Sequence, residues 1–295
     1  MKTPFSPPSG PGAHTSPVCL PDSHRIDLHD ARGITRRLFV AVPPHPAPPD
    51  GYPVLFTLDG NALFSLFAGL MWQHAAHPDA SAAAATPIIV GIGYPMTTAY
   101  DQAARERDYT MALGPSPGSP TVSGADNLLD FVQQIARPWL ARQWSLDEQR
   151  QGLFGHSYGG LLTLYALFTR PRLFQHYTAA SPSIWWGDRA IMPHARHFLD
   201  HGAQGSLTGT QASLLITVGG LEESSLPPST ERQRRQSQRR MVSQARDLST
   251  RLQAAAGLHS RFELLDGEDH GSVVPRSAAL ALRQLAGEAA SRSRP

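Results

Sequence analysis

The sequence feature that most constrains the fold of this chain is a serine between an apolar run and a helix-like segment. Residues 152–160 read GLFGHSYGG and place Ser157 in a Gly-x-Ser-x-Gly pattern. Residues 151–154 can end a buried strand, and apolar residues at helical spacing follow over 161–168. A sharp turn from strand to helix lifts a serine hydroxyl clear of a sheet, where a base can reach it. The segment therefore predicts a nucleophile elbow.

Two glycines flank the serine at equal distance. Gly155 and Gly159 fit an elbow because a strained turn brings the backbone so close that side chains at these positions would collide. The alternative is a glycine-rich turn in a Rossmann-like sheet with an incidental serine. The order of strand, turn and helix around Ser157 favours the elbow.

Composition predicts one large α/β domain. The chain has 295 residues, is 41% hydrophobic and carries a net charge of +2. No apolar run reaches the roughly 18 residues that a membrane span needs. Residues 1–22, rich in proline and serine, predict a disordered leader without a secretory signal, so we expect a cytoplasmic location. The domain is expected over 23–290, followed by a tail over 291–295, and Cys19 in the leader is unsuited to an internal disulfide or a catalytic thiol.

Strand and helix patterns alternate along the chain. Strand patterns occur at residues 25–29, 34–42, 52–58, 87–92, 151–154, 174–180, 212–218 and 261–265, and the last helical pattern spans 278–286. The first two predict an antiparallel pair, and strands separated by helices imply parallel pairing with helices on both faces. We therefore predict an α/β-hydrolase fold with a mostly parallel, twisted sheet and an antiparallel N-terminal strand pair.

One helix before the elbow carries two local signals. Ser123 and Asp126 have the spacing of a capping box, which predicts the start of the helix. Pro138 should kink the same helix, because proline lacks the N–H that a helix interior requires.

A histidine must serve Ser157 as its base. In this fold the order along the chain is serine, acid, histidine, so the base should follow the last strand. His270 lies in the acidic, glycine-flanked loop between the last strand and the last helix, although an ordinary loop histidine would look the same. The other histidines after the elbow precede the last strand: His176, His194, His197, His201 and His259. His156 is expected to pack or form hydrogen bonds in the elbow.

The acid has two candidates. Glu222 and Glu223 follow the strand at 212–218, and Glu222 is preferred because it is closer to the strand end and better fixed. A solvated glutamate pair is the alternative, as is a dyad of Ser157 and His270 without a carboxylate. Negative charge develops on the carbonyl oxygen of the substrate during attack, and backbone N–H groups must stabilise it. We assign these donors to Tyr158 and Asn61, with Gly60 leaving room for the carbonyl.

Five segments carry a family resemblance: residues 52–61 (YPVLFTLDGN), 124–131 (GADNLLDF), 153–161 (LFGHSYGGL), 180–186 (ASPSIWW) and 269–271 (DHG). Together they resemble the "putative esterase" family of α/β-hydrolases, particularly its siderophore esterases of the ferric enterobactin or salmochelin type. The resemblance spans about residues 24–288. It implies hydrolysis of carboxylic esters with Ser157 as nucleophile and His270 as base. Some members resemble a Ser-His dyad more than a triad, and for a siderophore substrate the resemblance implies iron acquisition by cleavage in the cytoplasm after import.

A ferric catecholate is anionic and aromatic, so its pocket needs cations and aromatic faces. Arg107, Trp185 and Trp186 are the predicted substrate-binding residues, with Arg105 and Tyr109 as further candidates. The alternatives are packing for the tryptophans and a local ion pair of Arg107 with its neighbour Asp108.

An arginine run over 231–240 leads into a helical pattern whose apolar residues are Met241, Ala245, Leu248 and Leu252. Thr230 and Gln233 could cap this helix. The run fits a partner site or a flexible lid, or else a solvated face. Nucleic acid binding is not expected, because the net charge is only +2 and no aromatic residue interrupts the run. No metal motif or cofactor site is predicted, and His194 and His197 are expected to be surface residues.

These patterns together predict a serine esterase that acts through an acyl-enzyme. An acyltransferase that uses the same acyl-enzyme, and a non-catalytic binding protein on the same fold, are the alternatives.

Overall fold

The computed structural model describes residues 18–76, 86–113, 123–202, 211–223 and 231–287. The first strand begins at Ser23. Most of the predicted leader, and all of the predicted tail, lie outside the described residues, so the domain limits stay a prediction. Cys19 is described and exposed. None of the helices in the described ranges combines the length and apolar character required to cross a membrane.

Eight strands in the described residues form one sheet in the order β1-β2-β4-β3-β5-β6-β7-β8. Their bounds are β1 Ser23–His29, β2 Thr35–Ala41, β3 Tyr52–Thr57, β4 Ile88–Gly93, β5 Leu146–His156, β6 His176–Ala180, β7 Ala212–Gly219 and β8 Leu258–Leu265. β2 pairs antiparallel with β1 and β4, and the remaining neighbours are parallel. The predicted fold class, a mostly parallel sheet with an antiparallel N-terminal pair, is confirmed.

The helices connect these strands: α1 Gly60–Ala75, α2 Gln102–Tyr109, α3 Gly124–Phe131, α4 Arg137–Ala141, α5 Tyr158–Thr169, α6 Ile191–His197, α7 Glu231–Arg239, α8 Met241–Leu252 and α9 Val273–Ala286. The last strand and the last helix each begin earlier than the sequence predicted. The carboxyl ends of the parallel strands meet at one edge of the sheet, where α/β folds bind their ligands.

Alternate residues of β3 pack against opposite layers of helices, as the pleat of a strand requires. Val54 and Phe56 join one buried cluster, which also contains residues of α5 and α8. Leu55 joins a second cluster, which contains residues of α1 and α9. The sheet is therefore covered on both faces, and central strands such as β3 and β4 are buried on each side, whereas the edge strand β1 is not.

The helix before the elbow begins with the predicted capping box and contains a π turn ahead of Pro138. The capping box is confirmed, since Ser123 Oγ accepts from Asp126 N at 3.1 Å and Asp126 Oδ2 accepts from Ser123 N at 3.0 Å. A π turn over Val132–Ala136 precedes α4, and the junction residues keep helical dihedrals, while the kink at Pro138 stays a prediction. Pro138 lies in the first turn of α4, where its missing N–H costs little, because the π turn shifts the hydrogen-bonding register ahead of it.

The arginine run forms a helix of its own. α7 ends at Arg239, and Arg240, with a φ of 45°, separates it from α8. We expected one helix leading on from the run, and the left-handed residue divides it into two. The apolar face of α8 is confirmed, because Met241, Ala245, Leu248 and Leu252 are buried. The predicted cap Thr230 lies outside the described residues.

Candidate active site

Ser157 stands at the turn between β5 and α5. Its φ of 60° and ψ of −114° are strained for a residue with a side chain. Ser157 N donates to the main-chain oxygen of Ala180 on the neighbouring β6 at 2.9 Å, which holds the turn. A Cβ on Gly155 would lie 2.1 Å from the main-chain oxygen of Gly159, so only glycine fits there. The predicted elbow geometry is therefore present.

The second glycine of the elbow differs from our expectation. A Cβ on Gly159 would meet its nearest atoms, in the side chain of Leu58, at an ordinary 3.4 Å. The close approach is instead at Gly160, where a Cβ would lie 2.9 Å from the main-chain oxygen of Ala180. The expectation for Gly159 was wrong because α5 turns its next residue, not Gly159, towards β6.

Three predicted site residues meet at the carboxyl edge of the sheet. His270 Nε2 lies 3.1 Å from Ser157 Oγ, across 113 positions of the chain. His270 Nδ1 lies 2.6 Å from Glu222 Oε2. The elbow after β5, the turn after β7 and the loop after β8 supply these residues in turn. The arrangement can pass a proton from the serine hydroxyl to the imidazole.

Glu222 is almost fully buried, at 2% exposure, in a 3₁₀ turn over Gly220–Glu222. Its Oε1 accepts from Ser181 Oγ at 2.5 Å and from Gly219 N at 2.8 Å. Burial alone would raise the pKa of Glu222, but the hydrogen bonds from His270, Ser181 and Gly219 outweigh burial and hold the pKa below its ordinary value. Glu222 is therefore ionised beside His270.

Glu223 faces another element. Its carboxylate accepts hydrogen bonds from the side chain of Ser243 and, at 2.8 Å, from Ser243 N in the first turn of α8. A carboxylate at a helix N-terminus is favoured by the helix dipole and by the unpaired amides there. Of the two adjacent candidates, Glu222 is the one in contact with His270.

The loop that carries His270 is held from within and from two sides. Asp269 Oδ1 accepts from Gly271 N and Ser272 N, each at 2.8 Å. Leu221 N donates to the main-chain oxygen of Glu268 at 3.0 Å, which joins the acid turn to the histidine loop. These contacts fix the backbone of the loop that carries His270.

His156 connects the elbow to the same loop. Its Nε2 lies 2.7 Å from the main-chain oxygen of His270, and the two rings are 4.7 Å apart. Burial lowers the pKa of His156 to about 3, and the neighbouring His270 adds to this shift. His156 is therefore neutral, and it carries its proton on Nε2 because a carbonyl oxygen can only accept.

The loop after β3, proposed from sequence for the oxyanion, is tightly fixed. Asn61 Nδ2 donates to the main-chain oxygens of Tyr94 and Met96 at 3.0 and 3.1 Å, and Asn61 Oδ1 accepts from Tyr94 N at 2.8 Å. Gly60 and Asn61 begin α1, and Tyr158 begins α5. The first amides of a helix have no acceptor within it and are available to a ligand. The role of these three residues towards an oxyanion stays a prediction.

Sequence reasoning missed two buried serines. Ser183 Oγ lies 3.3 Å from Ser157 Oγ, and Ser183 N donates to the main-chain oxygen of Ser157 at 3.1 Å. Ser181 binds Glu222, as described above. Both serines follow β6 at the carboxyl edge of the sheet, and this position was the available signal.

The candidate cations are both paired with carboxylates. Arg105 is buried and binds both oxygens of Asp59, at 2.7 and 3.1 Å, so it is not free for a ligand. Arg107 is half exposed and binds both oxygens of Asp108, at 2.8 and 2.9 Å, in the local ion pair that the sequence left open. A contact of Arg107 with substrate stays a prediction.

The tryptophans lie beside the elbow. The ring of Trp185 is 6.3 Å from the ring of Tyr158, the residue after the nucleophile. Trp186 is half-buried and packs against the core, and it begins a helical turn over Trp186–Arg189. Substrate binding by both tryptophans stays a prediction. Within the ranges that the structure describes, no group of three or more His, Cys, Asp or Glu side chains could hold a metal ion.

Several known proteins are similar to this chain in sequence and in fold. The model of a family described as "Putative esterase" matches residues 32–263. The "Siderophore triacetylfusarinine C esterase" of Aspergillus fumigatus is 35% identical over 287 residues, which cover 92% of this chain and 95% of that protein. The "Ferri-bacillibactin esterase BesA" of Bacillus subtilis is 33% identical, covering 84% of each chain.

Solved structures agree with these relatives. The "Siderophore hydrolase EstB from Aspergillus nidulans" has a TM-score of 0.79 and 32% identity, covering 92% of this chain and 97% of that one. A structure described as "BES protein from Bacillus cereus" has a TM-score of 0.78 and 29% identity, covering 94% and 99%. The predicted resemblance to siderophore esterases is confirmed. The chain belongs to the putative esterase family of hydrolases, with an α/β-hydrolase fold.

Proposed function

We propose that this chain is a serine esterase that hydrolyses siderophore esters through an acyl-enzyme. Membership of an esterase family supports ester hydrolysis. The observation that carries the serine mechanism is the continuous hydrogen-bonded chain from Glu222 through His270 to Ser157, at 2.6 and 3.1 Å.

The ionised Glu222 fixes the tautomer of His270. It accepts a hydrogen bond from the protonated Nδ1 of His270, which leaves the lone pair of Nε2 directed at Ser157 Oγ. The Ser183 hydroxyl can donate a hydrogen bond to Ser157 Oγ, so that the hydroxyl proton of Ser157 is directed to His270. As Ser157 Oγ attacks the ester carbonyl carbon, His270 Nε2 takes that proton and Glu222 stabilises the imidazolium.

The attack places a negative charge on the carbonyl oxygen of the substrate. The amides of Tyr158 and Asn61, at the first turns of α5 and α1, are the proposed donors to that oxygen, with Gly60 providing space. The ester C–O bond then breaks, and His270 gives its proton to the departing alkoxide, which leaves as an alcohol. Water next attacks the acyl-enzyme, with His270 as base, and releases the acid and free Ser157.

The substrate class comes from the relatives. Two of the relatives are esterases named for triacetylfusarinine C and for ferri-bacillibactin. We propose a siderophore ester for this chain on that ground, and with it a role in iron acquisition. Cleavage in the cytoplasm after import remains the predicted setting.

Two measurements test this function. The purified chain should hydrolyse p-nitrophenyl acetate and should cleave ferric bacillibactin or ferric triacetylfusarinine C, and Ser157→Ala should lose as much as about 10⁶ of kcat. A fluorophosphonate should label Ser157 in the native chain and not in Ser157→Ala. If a reference esterase is labelled while this chain is not, the serine mechanism is wrong. If p-nitrophenyl acetate is cleaved but no siderophore ester is, only the substrate assignment fails.

A further inference from the structure

Four side chains form a row that starts beside the nucleophile. The guanidinium carbon of Arg105 lies 5.9 Å from the ring centre of Tyr158. The ring of Tyr158 lies 6.3 Å from that of Trp185, and the guanidinium carbon of Arg239 lies 4.5 Å from the ring centre of Trp185. Both cations are within the range of a cation–π interaction. The row links the arginine run of α7 to the residue that follows Ser157.

The two arginines at the ends of the row differ in whether a carboxylate neutralises them. Arg105 is buried and neutralised by both oxygens of Asp59. Arg239 is exposed, and no carboxylate oxygen of the described residues lies within 4.0 Å of its guanidinium. Arg239 therefore keeps its full charge at the solvent end of an aromatic surface that begins at the nucleophile.

The position of Arg239 is fixed through the acid turn. Arg239 ends α7, and Arg240 N donates to the main-chain oxygen of Ser237 at 3.3 Å. α8 begins at Met241, which is buried in the core, and its Ser243 is bound by Glu223, the neighbour of Glu222. The corner between α7 and α8 is thus attached to the same turn that carries the proposed catalytic acid.

We propose that Arg239 is a specificity-determining residue that binds the negative charge of an anionic ester lying along Tyr158 and Trp185. This inference rests on the proposed function and adds a charge requirement to it. A guanidinium that already lies over an indole can form charge-assisted hydrogen bonds with an oxyanion, while its aromatic contact limits the conformations that it must lose on binding. The ligand class is an aromatic or chelating ester with anionic oxygen atoms.

A pair of esters that differ in one charge tests this inference. p-Nitrophenyl benzoate is neutral, and p-nitrophenyl 4-sulfobenzoate carries a sulfonate that stays ionised at all working pH values. Arg239→Gln should lower kcat/KM for the sulfonated ester about fivefold, through KM, and that for the neutral ester less than about twofold. Arg239→Lys should retain most of the preference, because the positive charge remains. Raising the ionic strength should reduce the preference in the parent and not in Arg239→Gln.

Arg234→Gln is the matched control. Arg234 is on the same helix and is exposed, and it is paired with Glu231 at 3.7 Å. Arg234→Gln removes one positive charge from α7, as Arg239→Gln does. It should leave both esters unaffected. The inference is overturned if Arg239→Gln changes both esters equally or neither of them, or if Arg234→Gln has the same effect as Arg239→Gln.

A binding measurement separates this inference from the proposed function. Calorimetric titration with 4-sulfobenzoate, the acid that hydrolysis would release, needs no turnover. The dissociation constant should rise about fivefold in Arg239→Gln and stay unchanged in Arg234→Gln. If the parent hydrolyses neither these two esters nor p-nitrophenyl acetate, the proposed function fails, and the titration still decides the role of Arg239. Equal dissociation constants in the parent and Arg239→Gln would overturn that role.

Discussion

His156 Nε2 lies 2.7 Å from the main-chain oxygen of His270, so the residue before the nucleophile holds the loop of the proposed base. The two histidines are 114 positions apart and act through different atoms, one through its ring and the other through its backbone. The contact fixes the backbone of His270, while Glu222 fixes its ring. His156 is therefore a positioning residue in the proposed mechanism.

Replacing His156 tests this positioning. His156→Phe keeps a ring but leaves the oxygen of His270 without a donor, so we expect kcat to fall by about 10²-fold with little change in KM. His156→Gln can supply an amide N–H and should recover part of the loss. Steady-state kinetics with p-nitrophenyl acetate measures both variants. Equal losses in Phe and Gln would indicate that packing of the ring, and not the hydrogen bond, matters.

Burial of His156 also makes the stability of the protein depend on pH. The pKa of His156 falls from its ordinary 6.5 to about 3 in the folded chain, so only the unfolded chain takes up this proton between these values. Its contribution is present above pH 6.5 and is lost as the pH falls, by about 2 kcal/mol between pH 7 and pH 5. His176, whose pKa burial lowers to about 4, makes both proteins lose stability over this range, so urea denaturation at both pH values should show a loss about 2 kcal/mol larger in the parent than in His156→Gln. Parallel changes in both proteins would contradict it.

The sequence limited the candidates for the acid to two residues and favoured Glu222 only by its position nearer the strand end. Glu222 and Glu223 are adjacent, have the same chemistry and follow the same strand. The two glutamates differ in their partners, which are distant in the chain: Ser181 binds Glu222 across 41 positions, and Ser243 binds Glu223 across 20. Local signals located the elbow and the loop of His270, because each is a short motif at the end of a strand. The choice between two neighbouring carboxylates depends on tertiary contacts, which no local pattern encodes.

Substituting the two glutamates separately tests the proposed triad. Glu222→Gln removes the charge that stabilises the imidazolium and can hold the wrong tautomer of His270, so kcat should fall by up to about 10⁴. Glu223→Gln should leave kcat nearly unchanged and lower the free energy of unfolding by about 1 kcal/mol, because it weakens the cap of α8. Nearly full activity in Glu222→Gln would support a dyad of Ser157 and His270.

Arg105 shows where reasoning from residue type fails. The sequence presented it as a cation near the carboxyl edge of the sheet, available to an anionic ligand. Asp59, 46 positions earlier, binds it with both oxygens in the buried interior. The partner precedes α1 whereas Arg105 lies in α2, so the sequence contains no local sign that the charge is neutralised. The pair instead supports the loop proposed for the oxyanion.

The pair of Arg105 and Asp59 should stabilise the fold only when both residues are present. Arg105→Met leaves the Asp59 carboxylate buried at 4% exposure without a cation, and should cost about 3 to 5 kcal/mol of unfolding free energy. The double variant Arg105→Met, Asp59→Asn removes both charges and should recover much of that loss. Urea denaturation of the parent, both single variants and the double variant gives the coupling energy. Additive losses would show that the two side chains act independently.

Gly219 should be required for activity because the histidine loop packs directly on it. Its φ of −72° is open to any residue, so an added side chain would cause no backbone strain. A Cβ there would lie 2.4 Å from the main-chain oxygen of Glu268 and 3.0 Å from that of Asp269, so Gly219→Ala must push the loop of His270 outward. We expect kcat to fall by about 10²-fold, since small misplacements of a catalytic group are costly.

Gly271→Ala is the control for this substitution. A Cβ on Gly271 would meet its nearest atom, Asp269 Oδ1, at an ordinary 3.5 Å, and the substitution keeps the backbone amide that donates to Asp269. This variant changes the same loop by the same methyl group, beside His270 itself, and should lose little activity. Rates of p-nitrophenyl acetate hydrolysis and of fluorophosphonate labelling report the position of the base in both variants. If the two alanine substitutions reduce both rates equally, general loosening of the loop, and not its displacement by Gly219→Ala, is the cause.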